Sequence, residues 1–335
     1  MSVSLRVIYL TLILIATLSL IIFTLEWLPL SNSFADTNGK VNLTFQFVNW
    51  PCFTVGFTMP TRIGLGNQLF FYAGAKYVAW LTGRKHFLLT SRTTKLEETF
   101  DLDIARQYIN KRCTVKLFVH KPIYGYDIRV ADLKSVMTKV SIHLDGTFFS
   151  WKYTQPIEDH LRRNFRFRRH LTDFAKKFLS SNIPYSWKAK AFVRVGIHVR
   201  RGNFLDRFWV RVGLTVATKE YLHRAMNYFV ERYRRVQFIV ASNDIVWCQR
   251  NMQPLSFNQD SVNVTFSVRH SVEQDLALLA GCNHTIATTG TFGWWASWLA
   301  NGTTVYYSNF ARPGSQLWRR SLATDYFPST WIGMN

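Results

Sequence analysis

VRVGIHVRRGN (Val193–Asn203) is the stretch that decides the fold. Apolar Val193, Val195, Ile197 and Val199 alternate with Arg194, Gly196 and His198, the period-two pattern of a strand rich in β-branched residues. The strand delivers Arg200 and Arg201 into a turn at Gly202. In α/β sheets, ligands bind beyond the carboxyl ends of strands, so two guanidinium groups placed there point to an anion site. Out of context, an exposed arginine doublet reads equally well as ordinary surface. The surrounding chain has to decide.

Downstream, the pattern alternates between helix and strand to the end. Thr218 caps a helix whose Leu222, Ala225, Met226 and Phe229 share one face, and Arg232, Arg234 and Arg235 crowd its C-terminal end. Val236–Val240 reads as a buried strand with SND (Ser242–Asp244) as the loop beyond it, Ser271–Gly281 as a helix, and Thr303–Tyr307 as a further strand. Between the last two lies CNHTIATTGTFGWWASWLANG (Cys282–Gly302), a short strand, a small-residue turn and an aromatic helix. TTGTFG (Thr288–Gly293) presents hydroxyls and unpaired backbone N–H groups at a helix N-terminus, which binds phosphate without a cation. Trp294, Trp295 and Trp298 read as core. A diphosphate held by Arg200, Arg201 and this turn needs no metal, because the protein itself offsets the charge. If the diphosphate leaves, those donors act on charge that grows in the transition state.

Upstream, TRIGLGNQLFFYAGAKYVAWLTGR (Thr61–Arg84) reads as a glycine turn, an apolar helix from Gln68 to Leu81 closed by Gly83, and then a strand at Phe87–Thr90. The order is Rossmann-like, but GLGNQL lacks the third glycine of a dinucleotide fingerprint. Its expected use is to bring backbone N–H groups and the Asn67 amide up to a ligand across a cleft. Asp101–Leu102–Asp103 could hold a divalent ion as a D-x-D triplet, although its setting after KLEET reads better as a helix start. Asp145–Phe165 begins as an aromatic loop and becomes helical near Pro156, and a domain boundary falls near Pro184.

The N-terminus sets the topology. Val7–Leu25 is an uncharged apolar run between Arg6 and Glu26, and at about 1.5 Å per residue it just spans a hydrocarbon core of roughly 30 Å. With Arg6 on the cytosolic side it reads as a type II signal anchor, and a cleaved signal peptide is the alternative. Residues 1–6 would then be a cytoplasmic tail, 7–25 the anchor, 26–60 a luminal stem, 61–185 an acceptor-side domain and 186–335 a donor-binding domain. Four sequons, at Asn42, Asn263, Asn283 and Asn301, agree with a luminal chain. Cys52, Cys113, Cys248 and Cys282 fit an oxidising compartment and allow three pairings, while no Cys or His spacing suits a metal. The 12 Trp and 27 Phe supply ample core. The net charge of +21 would ordinarily raise nucleic acid as a partner, but a luminal chain meets anionic membrane, acidic glycans or a phosphorylated donor instead. The densest basic piece is RRNFRFRRH (Arg162–His170).

HVRRG (His198–Gly202), GLGNQ (Gly64–Gln68), the SND…WCQ stretch (Ser242–Gln249) and CNHTIATTGTFGWWASWLANGTTVYYSNF together resemble the galactoside α-1,2-fucosyltransferases, with the likeness running in order from about Thr61 to Ile332. The resemblance implies an α/β chain of GT-B architecture, two Rossmann-like domains facing across a cleft behind a single transmembrane helix. It implies transfer of L-fucose from GDP-fucose to the 2-hydroxyl of a terminal galactoside, with inversion, without metal or other cofactor, in the Golgi membrane. By position, Arg200 and Arg201 should grip the β-phosphate with His198 supporting the loop or the sugar. Gly290, Thr291 and Phe292 should line the diphosphate and nucleoside, Asp275 should recognise guanine or ribose, and Asn67 should lie near the sugar or acceptor. One position departs: the family pattern H-V-R-R-G-D ends here in Asn203. An amide cannot take a proton, so either this residue is structural or the enzyme is impaired; the structural role is the preferred reading. Asp145 and Glu158 are then the carboxylates to consider as base. The competing functions are a fucosyltransferase with another acceptor or linkage, and a paralogue that binds glycan or nucleotide without turnover.

Overall fold

The computed structural model describes residues 54–59, 63–88, 94–102, 114–119, 123–134, 141–252 and 260–335. The anchor at 7–25, most of the stem, Asn42, Cys52, Asp103 and Cys113 lie outside the described residues. Among the described residues no helix is long and apolar enough to cross a membrane. The described residues belong to one compact unit that contains two parallel sheets.

The first sheet is assembled from β1 (Thr54–Phe57), α1 (Leu65–Thr82), β2 (Lys85–Leu88), α2 (Lys95–Thr99), β3 (Thr114–Val119) and β4 (Ser141–Gly146), in the strand order β2-β1-β4-β3. All pairings are parallel, with Val55 opposite both His86 and Ile142. β1 is thus a central strand with all four residues buried, inside the stretch expected to be stem. Four apolar residues after a polar segment look like the end of a linker, yet a strand covered on both faces has no alternation to reveal it. The helix expected from Gln68 starts three residues earlier and closes at Gly83 as expected. β2 begins at Lys85 rather than Phe87, because pairing with Thr54 starts directly after the helix cap.

After 3-10 turns at Trp151–Tyr153 and Gln155–Ile157 come α3 (Glu158–Asn164) and α4 (Arg169–Ser181). The second half then runs β5 (Val193–Val199), a 3-10 turn at Gly202–Leu205, α5 (Arg207–Val212), α6 (Lys219–Val230), β6 (Val236–Ser242), α7 (Ile245–Asn251), β7 (Val262–Phe266), α8 (Val272–Ala280), β8 (His284–Ala287), α9 (Thr291–Ala300), β9 (Thr304–Tyr307) and β10 (Ile332–Met334). The expected caps are present: Thr218 Oγ1 accepts from Tyr221 N, and Ser271 with Gln274 closes a reciprocal box at α8. The strand order is β10-β9-β8-β5-β6-β7, all parallel. Counted from β5 this is 3-2-1-4-5-6, the doubly wound order of dinucleotide-binding domains, and its topological switch point lies between β5 and β8.

α6 buries Leu222, Ala225, Met226 and Phe229 on one face of this sheet, where Cys248 also packs. Leu278 and Cys282 pack with Ile239 in a separate cluster. Cys248 and Cys282 are both free, so they are not paired with each other. The two halves share one apolar core through α1 and α9. The Phe70 ring lies 4.6 Å from Trp294 and 5.0 Å from Trp295, and Phe165 lies 5.5 Å from Trp295. Trp294, Trp295 and Trp298 are core residues as expected, and truncating such a side chain to Ala costs about 3–5 kcal/mol.

Candidate active site

The loops that follow β5 and β8 are tied together at the switch point. Arg200 N donates to Thr288 Oγ1 at 2.8 Å, and Thr288 N donates to His198 O at 3.3 Å. Gly290, with φ of +113°, turns the chain into α9 in a conformation that other residues avoid. The first-turn N–H groups of α9 are therefore presented beside Arg200. The strand carries Arg200 and Arg201 in opposite directions, and each is held separately. Arg200 Nη2 donates to Asn203 Oδ1 at 2.5 Å, with its guanidinium 4.8 Å from the Phe204 ring centre. Arg201 N donates to Asn243 Oδ1 at 2.9 Å, its Nε lies 3.4 Å from Asp244 Oδ2, and its guanidinium lies 3.9 Å from the Trp247 ring centre. Arg200 has further N–H groups besides the one on Asn203 to offer an incoming anion, whereas Arg201 is largely enclosed by Asp244 and Trp247. Burial also lowers the Arg200 guanidinium from its ordinary value, a cost that a bound anion offsets.

His198 is 7% exposed, and its Nδ1 has no hydrogen-bond partner. Burial, and then the charge of Arg200, push its pKa down to about 3, so the ring is neutral near neutral pH. Its ring centre is 4.7 Å from that of Phe292, and a Cβ at Gly293 would stand 2.9 Å from Nδ1. His198 therefore supports the first turn of α9.

Asp275 stands on α8, near the carboxyl edge of the same sheet, where Ser267 follows β7. Ser267 Oγ lies 2.5 Å from Asp275 Oδ1 and 2.7 Å from His270 Nδ1. Burial raises the Asp275 carboxyl to about 6, and the Ser267 hydrogen bond partly opposes that rise. The site residues from the first half arrive through α1. Thr291 Oγ1 donates to Asn67 Oδ1 at 2.6 Å, and a Cβ at Gly66 would fall 2.6 Å from Phe292 N. The GLGNQ turn thus presses directly on the start of α9 rather than facing it across open space. Gly66 is glycine because two backbones meet there.

Of the two carboxylates considered as base, Asp145 lies one residue from the end of β4, at the carboxyl edge of the first sheet. Glu158 does not reach the site. It is bound by Arg162 at 2.6 Å, and Arg162 in turn donates to Trp298 O and Asn301 Oδ1 at the opposite end of α9. Asn203 holds Arg200 and ends the 3-10 turn by accepting from Asp206 N at 3.1 Å. Asn243, Asp244, Trp247 and Phe204 are site residues to which the sequence alone assigns no role, the signal available for the first two being the polar SND loop after a strand that pairs with β5; Thr288 lies in the turn expected to bind phosphate. Among the described residues no group of three His, Cys, Asp or Glu could hold a metal ion. Asp101 is described, but its D-x-D partner Asp103 is not.

Three sequons are in view. Asn263 is half-buried on β7, accepting from Thr265 Oγ1 at 3.0 Å and from Gln237 Nε2 at 3.3 Å. Asn283 is exposed and accepts from Arg194 N at 2.9 Å. Asn301 is exposed at the left-handed C-terminal cap of α9.

A doubly wound sheet with Arg200 and a helix N-terminus at its switch point is an arrangement suited to binding an anion. Residues 43–335 match the model of glycosyl transferase family 11. The chain belongs to that family, and it is a fucosyltransferase. It is 32% identical over 273 residues to the galactoside alpha-(1,2)-fucosyltransferase 1 of Oryctolagus cuniculus, covering 81% of this chain and 71% of that one. To the protein of the same name from Homo sapiens it is 31% identical over 274 residues, covering 81% and 72%. In fold it is similar to an arginine-to-lysine variant of Arabidopsis thaliana FUT1 solved in complex with GDP, with a TM-score of 0.54 at 12% identity, covering 81% of this chain and 72% of that one. It is also similar to NodZ alpha-1,6-fucosyltransferase co-crystallized with GDP, with a TM-score of 0.50 at 17% identity, covering 77% and 95%. At these identities the likeness is one of fold.

Proposed function

We propose that the protein transfers L-fucose from GDP-fucose to the 2-hydroxyl of a terminal galactoside, with inversion and without a metal. The observation that carries this reading is the placement of Arg200, the Thr288–Gly290 turn and the α9 N-terminus together at the switch point of the second sheet, with Arg201 beside it on the β6 side. The galactoside alpha-(1,2)-fucosyltransferase relatives supply the acceptor and linkage. The two sheets would act as the halves of a GT-B enzyme, with the donor on the second and the acceptor approaching from the carboxyl edge of the first.

Arg200 binds the β-phosphate, whose oxygen gains charge as the bond to fucose C1 breaks, while Arg201, expected to share that contact, is held on the β6 side by Asp244 and Trp247 and braces the loop. Donors aimed at that oxygen lower the barrier. The first-turn N–H groups of α9 and the Thr288–Gly290 turn complete the diphosphate cradle. Asp275 as carboxylate accepts from the guanine edge, and a site built for that pairing rejects other bases. The acceptor hydroxyl oxygen attacks C1 from the face opposite the phosphate, GDP leaves with the bonding electrons, and the hydroxyl proton passes to Asp145 or to solvent. Asn203 positions Arg200 and takes no proton.

Arg6 ahead of the apolar run at residues 7–25, together with the sequons, favours a single-pass type II protein of the Golgi membrane with its enzyme portion in the lumen. The test is incubation of residues 43–335 with GDP-fucose and a panel of β-galactosides, with and without EDTA. Metal-independent fucosylation is expected. Donor binding without transfer to any acceptor would favour the binding-only paralogue, and loss of transfer in EDTA would contradict the charge-offset reading and bring back Asp101 and Asp103.

A further inference from the structure

A cavity of about 860 Å³ opens between the C-terminal half of α1 and the start of α3, lined by Lys76, Trp80, Arg84, Gln155, His160 and Arg163 among others. Trp80 is some 13 residues beyond Asn67 on α1, or about 20 Å along a straight helix, so the cavity is separate from the donor site. Its lining is unusual for ordinary surface. Trp80 is 58% exposed at the rim of a concavity, with its indole 6.0 Å from Tyr77, and is one of two exposed tryptophans among the described residues. Arg84, in the same wall, is only 7% exposed.

Positive charge prevails there. Glu158 and Asp159 also line the cavity, but Glu158 is engaged by Arg162 at 2.6 Å. Burial first, and then Lys76 and Arg163, hold His160 below its ordinary value. In sequence the basic run continues past Arg163 to Arg166 and Arg169, both exposed, with Arg169 3.6 Å from Asp173; of that run Arg163, and His160 just ahead of it, line the cavity. An exposed indole beside cations and an amide is a recognition set for a sugar ring that carries negative charge. The indole covers the C–H face of a pyranose, the exposed Arg163 guanidinium pairs with carboxylate or sulfate, and Gln155 and Asp159 meet hydroxyls.

We propose that this cavity is an accessory site for an anionic oligosaccharide, one bearing carboxylate or sulfate groups. A concave wall with a stacking platform favours a discrete sugar chain over a flat anionic membrane. That the bound glycan also carries the reacting sugar rests on the fucosyl-transfer reading; the binding itself does not.

Titration of residues 43–335 with a sulfated lactosamine oligosaccharide and with its desulfated parent tests the proposal, and GDP is titrated alongside as a readout of the separate donor site. The sulfated form should bind at least about tenfold more tightly than the parent, with the difference shrinking at high salt. Trp80→Ala should weaken it by about tenfold and Arg163→Ala by a comparable factor, with GDP affinity unchanged in both. Both residues are exposed, so neither change threatens the fold. Equal binding of the desulfated parent, an unchanged Trp80→Ala variant, or binding to phosphatidylserine vesicles without binding to the soluble sulfated oligosaccharide would overturn it. A loss of GDP binding by the unmodified protein would instead strike the donor-site account and leave this one standing.

Discussion

Arg200→Lys keeps the positive charge and removes the fork. The guanidinium spends one N–H on Asn203 Oδ1 at 2.5 Å and rests 4.8 Å from the centre of Phe204. An ammonium cannot make the Asn203 bond and also place two parallel N–H groups on a phosphate. The loss is at least one charge-assisted hydrogen bond, about 1.5–3 kcal/mol. In kcat/KM for GDP-fucose that amounts to about a 10- to 150-fold fall. Because phosphate charge grows as the bond to C1 breaks, most of the fall should appear in kcat, with a smaller change in donor affinity. Steady-state release of GDP at saturating acceptor, paired with direct titration of GDP, separates the two. The backbone bond from Arg200 N to Thr288 is untouched, so the variant should fold normally. A kcat/KM within about threefold of the unmodified enzyme would refute the bidentate phosphate role, since it leaves under about 1 kcal/mol for the contact.

The other residues make equally direct predictions. Asn203→Asp should change kcat by less than about threefold if this position only holds Arg200; a rise of about 10²-fold or more would make it a general base missing from this chain. Asp275→Asn should cut GDP affinity by about tenfold or more, measured by calorimetry. The same variant should raise the melting temperature of the ligand-free protein at neutral pH. The Asp275 carboxyl is raised from 3.8 to about 6 by burial, so its contribution to stability is full below 3.8 and is lost as pH rises through about 6. Donor affinity of the unmodified protein should run the other way, weakening as pH falls through about 6 because guanine recognition needs the ionised form. A variant melting lower at neutral pH, or a donor affinity flat across that range, would contradict the assignment. Gly66→Ala puts a methyl 2.6 Å from Phe292 N and should destabilise by about 1–3 kcal/mol while displacing the α9 N-terminus, read as a lower melting temperature together with weaker GDP binding. Unchanged values of both would mean that this backbone contact is looser than described.

What can be read from the sequence is local, and what cannot is the pairing of distant strands. β5 is legible to its ends because Val193, Val195, Ile197 and Val199 carry a clean period of two, and α6 because Thr218 marks its start. β1 reads as linker: its four residues are buried by partners at Lys85–Leu88 and Ile142–Leu144, and no short-range pattern announces that. The strand order that makes Arg200 and Thr288 neighbours is equally non-local, although both motifs are visible. Asn243 and Asp244 acquire their role only because β6 lies beside β5. The polar face of β5 gives no hint that His198 is buried under α9 and kept neutral. The Glu158–Arg162 pair, by contrast, has the i,i+4 spacing of a helical ion pair, and that spacing by itself argues against Glu158 as a free base.

The central claim is tested most directly by the linkage formed when residues 43–335 act on GDP-fucose and a terminal β-galactoside, read by NMR of the purified product. The expected product carries fucose joined by an α bond to the galactose 2-oxygen, formed in the presence of EDTA and lost in Arg200→Lys in proportion to kcat. Fucose at any other position, or undiminished transfer by the variant, would contradict it.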